Sequence, residues 1–184
     1  MSLSTKLQEL VDLITQNRDK LFESVSGLSD AQLNHKSEGS NWSICDVVNH
    51  VALTDEANAK LTSNMLKRAR NENLVADPSP DRSELNSIDP ILEQMKVGKF
   101  QAPDFINPHA HASVDESFAK LKYSRERMLE NISRLDGLDL YGLTYPHPFA
   151  GPLNTYQWIL IAGAHESRHA AQIERMKSAT DFPK

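Results

Sequence analysis

Cysteine is nearly absent from this chain, with Cys45 the only one among 184 residues. A single cysteine excludes an intrachain disulfide, so the fold must be held by its core. A chain of this length buries enough apolar surface to do so without covalent crosslinks. The lack of disulfides fits a reducing compartment. We expect one domain over residues 1–184.

The chain also lacks an excess of basic residues. Twenty Lys and Arg residues stand against 25 Asp and Glu residues, which gives a formal net charge of -5. Nucleic-acid-binding proteins neutralise phosphates with basic patches that are often interleaved with aromatic residues. No such stripe is found in this sequence, so we expect no nucleic-acid partner.

Long apolar runs are missing as well. The longest lies near Trp158 to Ala164, far below the roughly 20 residues that a membrane-spanning helix needs. The first ten residues lack the basic start and apolar stretch of a secretory signal. We therefore expect a cytoplasmic protein that does not associate with a membrane.

Apolar residues recur at three- and four-residue steps in four segments, which predicts four long helices. Ser43 and Ser113 are candidate N-caps, because Asp46 and Glu116 follow at the capping-box position. A short turn is expected at 29–33, and no strand pattern of any length is found. The prediction is an all-α fold, a four-helix bundle. Its helices cover about 4–25, 43–70, 113–137 and 155–177.

A long proline-containing connection, residues 71–112, separates the second and third predicted helices. Its prolines exclude a long helix; they are Pro78, Pro80, Pro90, Pro103 and Pro108. Short helical turns, such as one at 90–95, should divide it. The segment either crosses over the bundle or covers a site.

His165 and His169 are the strongest chemical signal. Residues four apart on a helix lie one above the other, with Cβ atoms roughly 5–6 Å apart. Both imidazoles can then reach one ion at about 2.0–2.1 Å per bond, if the ion is zinc. Their stripe should face the bundle core, because its other members are mostly apolar: Trp158, Ile161, Ala162, Gln172 and Met176.

His50 is the natural third ligand. It shares a mostly apolar, inward face of the second helix with Val47, Thr54, Ala57 and Leu61. Three histidines from two helices would hold one divalent metal ion and leave a fourth position open, as catalytic sites do. The alternative for any one of these histidines is a hydrogen-bonded core residue that binds no metal.

Residues 165–169 also match the His-Glu-x-x-His signature of zinc proteases. The extended signature requires a glycine and a further histidine downstream. Gln172 and Arg175 occupy those two places. The strands that accompany the protease helix are not predicted either, so this alternative is disfavoured.

Glu166 is the candidate catalytic residue. A carboxylate next to a metal site can act as a general base toward a bound water. Glu166 lies about 100° around the helix from His165, however, so a supporting role is the alternative.

Other polar residues near these motifs have simpler interpretations. Gln172 lies on the ligand stripe and could orient a polar group just outside the ligands, and Arg168 is expected to form a structural ion pair rather than to clamp a substrate. Cys45 lies about 140° from His50 and should not reach the same ion. Three further histidines in proline-containing connections are expected to be exposed or turn residues: His109, His111 and His147.

Three stretches of the chain resemble the DinB/YfiT-like superfamily, whose members include metal-dependent enzymes. The first comprises residues 41–44 (NWSI) and 47–51 (VVNHV). The second is 146–158 (PHPFAGPLNTYQW), and the third is 165–173 (HESRHAAQI). Together with the helical layout, they cover essentially the whole chain.

This resemblance implies a four-helix bundle that binds zinc or nickel through His50, His165 and His169, and it implies a homodimer. Similar proteins include thiol S-transferases, which join a low-molecular-weight thiol to an electrophile, a mycothiol-dependent maleylpyruvate isomerase and proteins described as hydrolases. We therefore expect a metal-dependent S-transferase or hydrolase that acts on a small molecule. The alternative is a non-catalytic metal-binding protein or a dimeric scaffold.

Overall fold

Four long helices carry most of the chain in the computed structural model, which describes residues 3–73, 83–97, 103–108 and 113–184. They are α1 (Thr5–Val25), α3 (Ile44–Asn71), α5 (Val114–Ser133) and α6 (Thr155–Lys177). Two shorter α-helices are α2 (Asp30–Asn34) and α4 (Asp89–Val97), and two 3-10 turns cover Leu85–Ile88 and Asp104–Ile106.

The long helices pack as a four-helix bundle, which confirms the predicted fold. Helix α6 lies along both α1 and α3, and α3 also lies along α5. Helix α5 ends at Ser133 rather than near Gly137. The apolar pattern continues past the helix end because Leu135, in the following turn, is still fully buried in the core.

Capping boxes begin three of these helices. Ser43 accepts a hydrogen bond from the backbone of Asp46, whose side chain accepts one from the Ser43 backbone. Ser113 and Glu116 form the same arrangement at α5, as predicted. A third box, at Asn154 before α6, was not predicted. Each N-cap contributes about 1 kcal/mol and fixes where its helix begins.

A two-stranded antiparallel hairpin precedes α6, so the prediction of no strands is wrong here. Strand β1 (Thr144–His147) pairs with β2 (Gly151–Asn154), with His147 opposite Gly151. Each strand has only four residues and one proline, and only Leu153 is buried. Strands this short show no alternation of apolar and polar residues that could reveal them in the sequence.

The described parts of the long connection pack against the bundle. Helix α4 confirms the helical turn expected at 90–95. Ile88 is buried in the core. The Tyr141 hydroxyl donates to a Glu84 carboxylate oxygen at 2.5 Å, and the Gln157 side chain donates to the Ser87 carbonyl at 3.3 Å. These contacts tie the connection to the beginning of α6.

The apolar core has two parts with a charged layer between them. Residues such as Ile14 and Ile159 belong to one cluster, and Leu21 and Ala170 belong to the other. Four charged side chains, which we call the polar layer, lie between these positions along the helices. They are Arg18 of α1, Asp55 of α3, Arg125 of α5 and Glu166 of α6.

Pairing within the polar layer offsets the large cost of burying charge. Arg18 donates from Nε to Glu166 at 2.9 Å, and it also contacts Asp55. Arg125 donates to the same Glu166 carboxylate at 2.6 Å. Two positive and two negative groups thus balance, and each long helix supplies one of them.

No helix among the described residues is long and apolar enough to cross a membrane.

Helices α1 and α6 pack closely at Gly163. A Cβ atom at this position would lie 3.1 Å from Cγ2 of Ile14. The Asn17 side chain donates to the Gly163 carbonyl at 3.1 Å, across the same interface. A larger residue would push the two helices apart.

We predict that Gly163→Leu lowers the free energy of unfolding by about 1–3 kcal/mol, because overpacking a close interface forces backbone shifts. Ala171→Leu is the matched control, since Ala171 is exposed on the same helix. Urea denaturation of both variants measures the effect. Equal midpoints for the two variants would contradict the close approach.

Candidate metal centre

Three imidazoles meet in the interior of the bundle. Helix α3 carries His50, and α6 carries His165 and His169. Nε2 of His165 lies 3.2 Å from Nε2 of His50 and 3.1 Å from Nε2 of His169. His50 and His169 are buried, and His165 is half-buried. The structure therefore brings together all three of the predicted ligands.

The spacing of the three nitrogens suits a shared ion. Two nitrogens at about 2.0–2.1 Å from one ion, in tetrahedral geometry, lie roughly 3.3–3.4 Å apart. The two nitrogen–nitrogen distances here, 3.1 and 3.2 Å, differ from that value by only a few tenths of an ångström. Small side-chain movements would complete the coordination geometry.

Hydrogen bonds on the far side of two rings fix their tautomers. Nδ1 of His50 lies 2.8 Å from the carbonyl oxygen of Ile106, which can only accept. Nδ1 of His169 lies 2.8 Å from the side-chain oxygen of Gln172. Both Nδ1 atoms therefore carry the proton, and both Nε2 atoms present a lone pair to the centre. Gln172 thus orients a ligand directly, whereas the sequence suggested that it orients a group outside the ligands.

Hydrogen bonds among the three histidines cannot satisfy all three Nε2 atoms. Nε2 of His165 faces the lone pairs of both other Nε2 atoms, and a neutral imidazole nitrogen carries at most one hydrogen. One contact can be a hydrogen bond, and the other then brings two lone pairs together. A cation at the centre would be attracted to all three nitrogens at once. The donor set thus fits a metal ion.

The histidines are also held neutral. Burial lowers the pKa of His50 and lowers that of His169 to about 3. Burial, followed by the effect of the neighbouring histidines, lowers the pKa of His165 well below its ordinary value. Neutral imidazoles are the form that binds metals, so protons compete weakly for this site near neutral pH.

Glu166 lies in the polar layer, apart from the three histidines. It is 1% exposed, and both of its carboxylate oxygens accept hydrogen bonds from guanidinium groups of Arg18 and Arg125. Burial raises its pKa to about 7. These contacts tie the Glu166 carboxylate to α1 and α5 next to His165, and its catalytic role stays a prediction.

Sequence reasoning missed the partners of Glu166. Arg18 lies between Ile14 and Leu21 at helical spacing, on the inward stripe of α1, and Asp55 is likewise buried on α3. Charged residues at core positions are rarely buried unless they are paired. That placement was the available signal, although it does not say which residues pair.

One aromatic side chain and one further histidine lie near the cluster. The ring of Trp42 lies 4.9 Å from that of His50. His147 was expected in a turn but lies half-buried in β1, with its ring 5.0 Å from Trp158. Its Nδ1 accepts from the Phe149 backbone at 3.2 Å, so Nε2 carries the proton when the ring is neutral.

The other candidates add no ligand. Cys45 is buried and is not part of the histidine cluster, as expected from its helical position. His109 and His111 lie outside the described residues. Within the part of the chain that the structure describes, the cluster contains His50, His165 and His169 and no fourth histidine, cysteine or carboxylate.

We predict that the metal-free protein loses stability as the pH falls below about 6.5. Unfolding restores an ordinary pKa to His169, so the unfolded state binds a proton that the folded state resists until about pH 3. This difference lowers the free energy of unfolding by about 2 kcal/mol between pH 7 and pH 5.

Urea denaturation of chelator-treated protein at both pH values measures this loss, with His169→Gln as the control. Glu166 makes stability change with pH in the opposite direction, since its pKa is raised in the folded state. This contribution is present in both proteins and therefore does not affect the comparison. The variant should lose about 2 kcal/mol less than the native chain. Equal losses would contradict the assignment to His169.

Comparison with known proteins supports the fold and the family. YuaE of Bacillus subtilis (strain 168), an uncharacterized protein, is 27% identical over 168 residues, covering 91% of this chain and 96% of YuaE. A solved structure, the four-helix bundle protein TT2238, superposes with a TM-score of 0.57 at 20% identity. It covers 91% of this chain and 96% of its own, and it supports the fold alone.

The family profile extends over most of the bundle. It includes α3 and the two histidines of α6, the segments that form the candidate metal centre. Because residues 13–173 match the profile of the DinB superfamily, the chain belongs to that superfamily.

Proposed function

We propose that this protein is a metal-dependent enzyme that uses His50, His165 and His169 to hold one divalent ion, zinc or nickel, and activates a small nucleophile there. The nucleophile is a low-molecular-weight thiol in an S-transferase or water in a hydrolase. The observation that carries the proposal is the convergence of three imidazole nitrogens on one point.

The composition of the cluster favours catalysis over a purely structural role. Structural zinc sites use four protein ligands, commonly with cysteines, whereas catalytic sites use three and leave one position open. Three neutral histidines, without a fourth protein ligand among the described residues, correspond to the second type. An ion held there would lower the pKa of a thiol or water bound at its open position.

The chain's own residues prepare this chemistry in three ways. The Ile106 carbonyl and the Gln172 side chain hold two rings in the metal-binding tautomer. The polar layer fixes the rotation of α6 through Glu166. The ring of Trp42 packs against the His50 ring and supports its position. All of these contacts are made within the chain itself, and such contacts hold donor groups in a fixed geometry.

We predict that the purified protein binds about one zinc or nickel ion per chain. His50→Ala should weaken binding by at least ~100-fold, because loss of an outer hydrogen-bonding partner alone costs about 10–100-fold. Gln172→Leu should fall within that smaller range. Elemental analysis and competition with a chromophoric chelator measure both effects.

His35→Ala is the matched control for loss of a histidine. His35 lies away from the cluster, where it contacts Asp181 at 3.5 Å and the ring of Phe182. It should bind metal as the native chain does. If His50→Ala binds as tightly as His35→Ala, the three-histidine centre is wrong.

We predict metal-dependent chemistry in the same preparations. Conjugation of a small thiol to monochlorobimane would identify an S-transferase, and release of nitrophenolate from p-nitrophenyl acetate would identify a hydrolase. Activity should vanish in His50→Ala and in chelator-treated protein, and it should return with added metal. A stoichiometric ion with neither activity would favour the non-catalytic alternative.

A further inference from the structure

Arg168 lies beside the three-histidine cluster and has no partner among the described residues. It follows His165 by three residues and directly precedes His169, so it lies about 60° around the helix from His165 and about 100° from His169. The residue is exposed. The ion pair that the sequence suggested for Arg168 is not formed within the described chain.

Local sequence explains why this guanidinium has no carboxylate partner on its own helix. On other helix surfaces, Arg68 bonds Glu72 and Arg134 contacts Glu130, in each case four residues away. The residues four and three positions from Arg168 are Ala164, His165, Ala171 and Gln172, none of which is acidic. The nearest carboxylate in sequence, Glu166, is turned inward to the polar layer.

The positive charge of Arg168 reaches all three candidate ligands. It lowers the pKa of His50, His165 and His169, in each case after the larger effect of burial. For His50 it is the only charged side chain with a resolved effect. Arg175 adds a further positive charge, which acts on His169. The permanent charges of Arg168 and Arg175 beside the cluster are thus both positive.

We propose that Arg168 binds the carboxylate of the small molecule whose reacting group occupies the open position of the metal centre. This inference rests on the proposed function, since it concerns the ligand of that same site. A guanidinium presents two parallel donors that match a carboxylate, and such charged hydrogen bonds are strong. The substrate class is thus an anionic small molecule, with a carboxylate a few bonds from its metal-binding group.

Cobalt(II)-loaded protein provides the test, because sulfur bound to cobalt gives a charge-transfer absorption band. The probes are 3-mercaptopropionate, 2-mercaptoethanol and cysteamine, which place a negative, neutral or positive group near the same thiol. Titration of the band gives three dissociation constants. The native protein should prefer 3-mercaptopropionate over 2-mercaptoethanol by about tenfold.

Variants assign that preference to one residue. Arg168→Gln should abolish it, and Arg168→Lys should keep only part of it, because lysine retains the charge without the paired donors. Arg175→Gln is the matched control: it removes the same charge from the same exposed face, two turns further along α6. Because Arg175 lies about two turns further from the cluster along α6, this variant should keep most of the preference.

The outcomes separate the two proposals. If cobalt does not bind, the proposed function fails, and this inference fails with it. If cobalt and thiols bind but Arg168→Gln keeps the native preference, this inference alone is overturned. An equal loss in Arg168→Gln and Arg175→Gln would also overturn it, since the effect would then be general charge attraction.

Discussion

The pairing of four buried charges is the constraint on which the rest of the bundle depends. Arg18, Asp55, Arg125 and Glu166 come from four different helices, and each would be severely destabilising if it were buried alone. The helices must therefore rotate until these groups meet. His50 lies five residues before Asp55, and His165 is adjacent to Glu166. The rotation that pairs the charges thus also turns the histidines toward each other.

A second layer of contacts converts this proximity into a site that suits a metal. Buried imidazoles three ångströms apart could otherwise carry their protons on either ring nitrogen, so the Nε2 lone pairs would not consistently face the centre. The Ile106 carbonyl and Gln172 remove that freedom by accepting from the outer nitrogens. The neutral donor set leaves the charge of a bound cation uncompensated, and Arg168 adds to it. Helix rotation and ring tautomer would therefore be linked to the proposed preference for an anionic ligand.

Much of the fold and of the centre could be predicted from the sequence, because helical periodicity depends on local spacing. The inward position of His50, and the four-residue step from His165 to His169, follow from that spacing alone. The partners of Glu166 could not be predicted, since pairing across four helices depends on tertiary contacts. The hairpin was missed because Pro146 and Pro152 lie in strands too short to show a pattern. The α5 end was misplaced because Leu135 is buried although it is not helical.

The acceptor that holds the His50 ring is a main-chain oxygen, and this has a consequence for how the family can diverge. Every amino acid carries the same carbonyl, so drift in side-chain identity at position 106 leaves that hydrogen bond chemically intact. Insertions and deletions between α3 and the 3-10 turn at Asp104–Ile106 are different, because they displace the carbonyl itself. Selection at this point should therefore act on loop length more than on residue type.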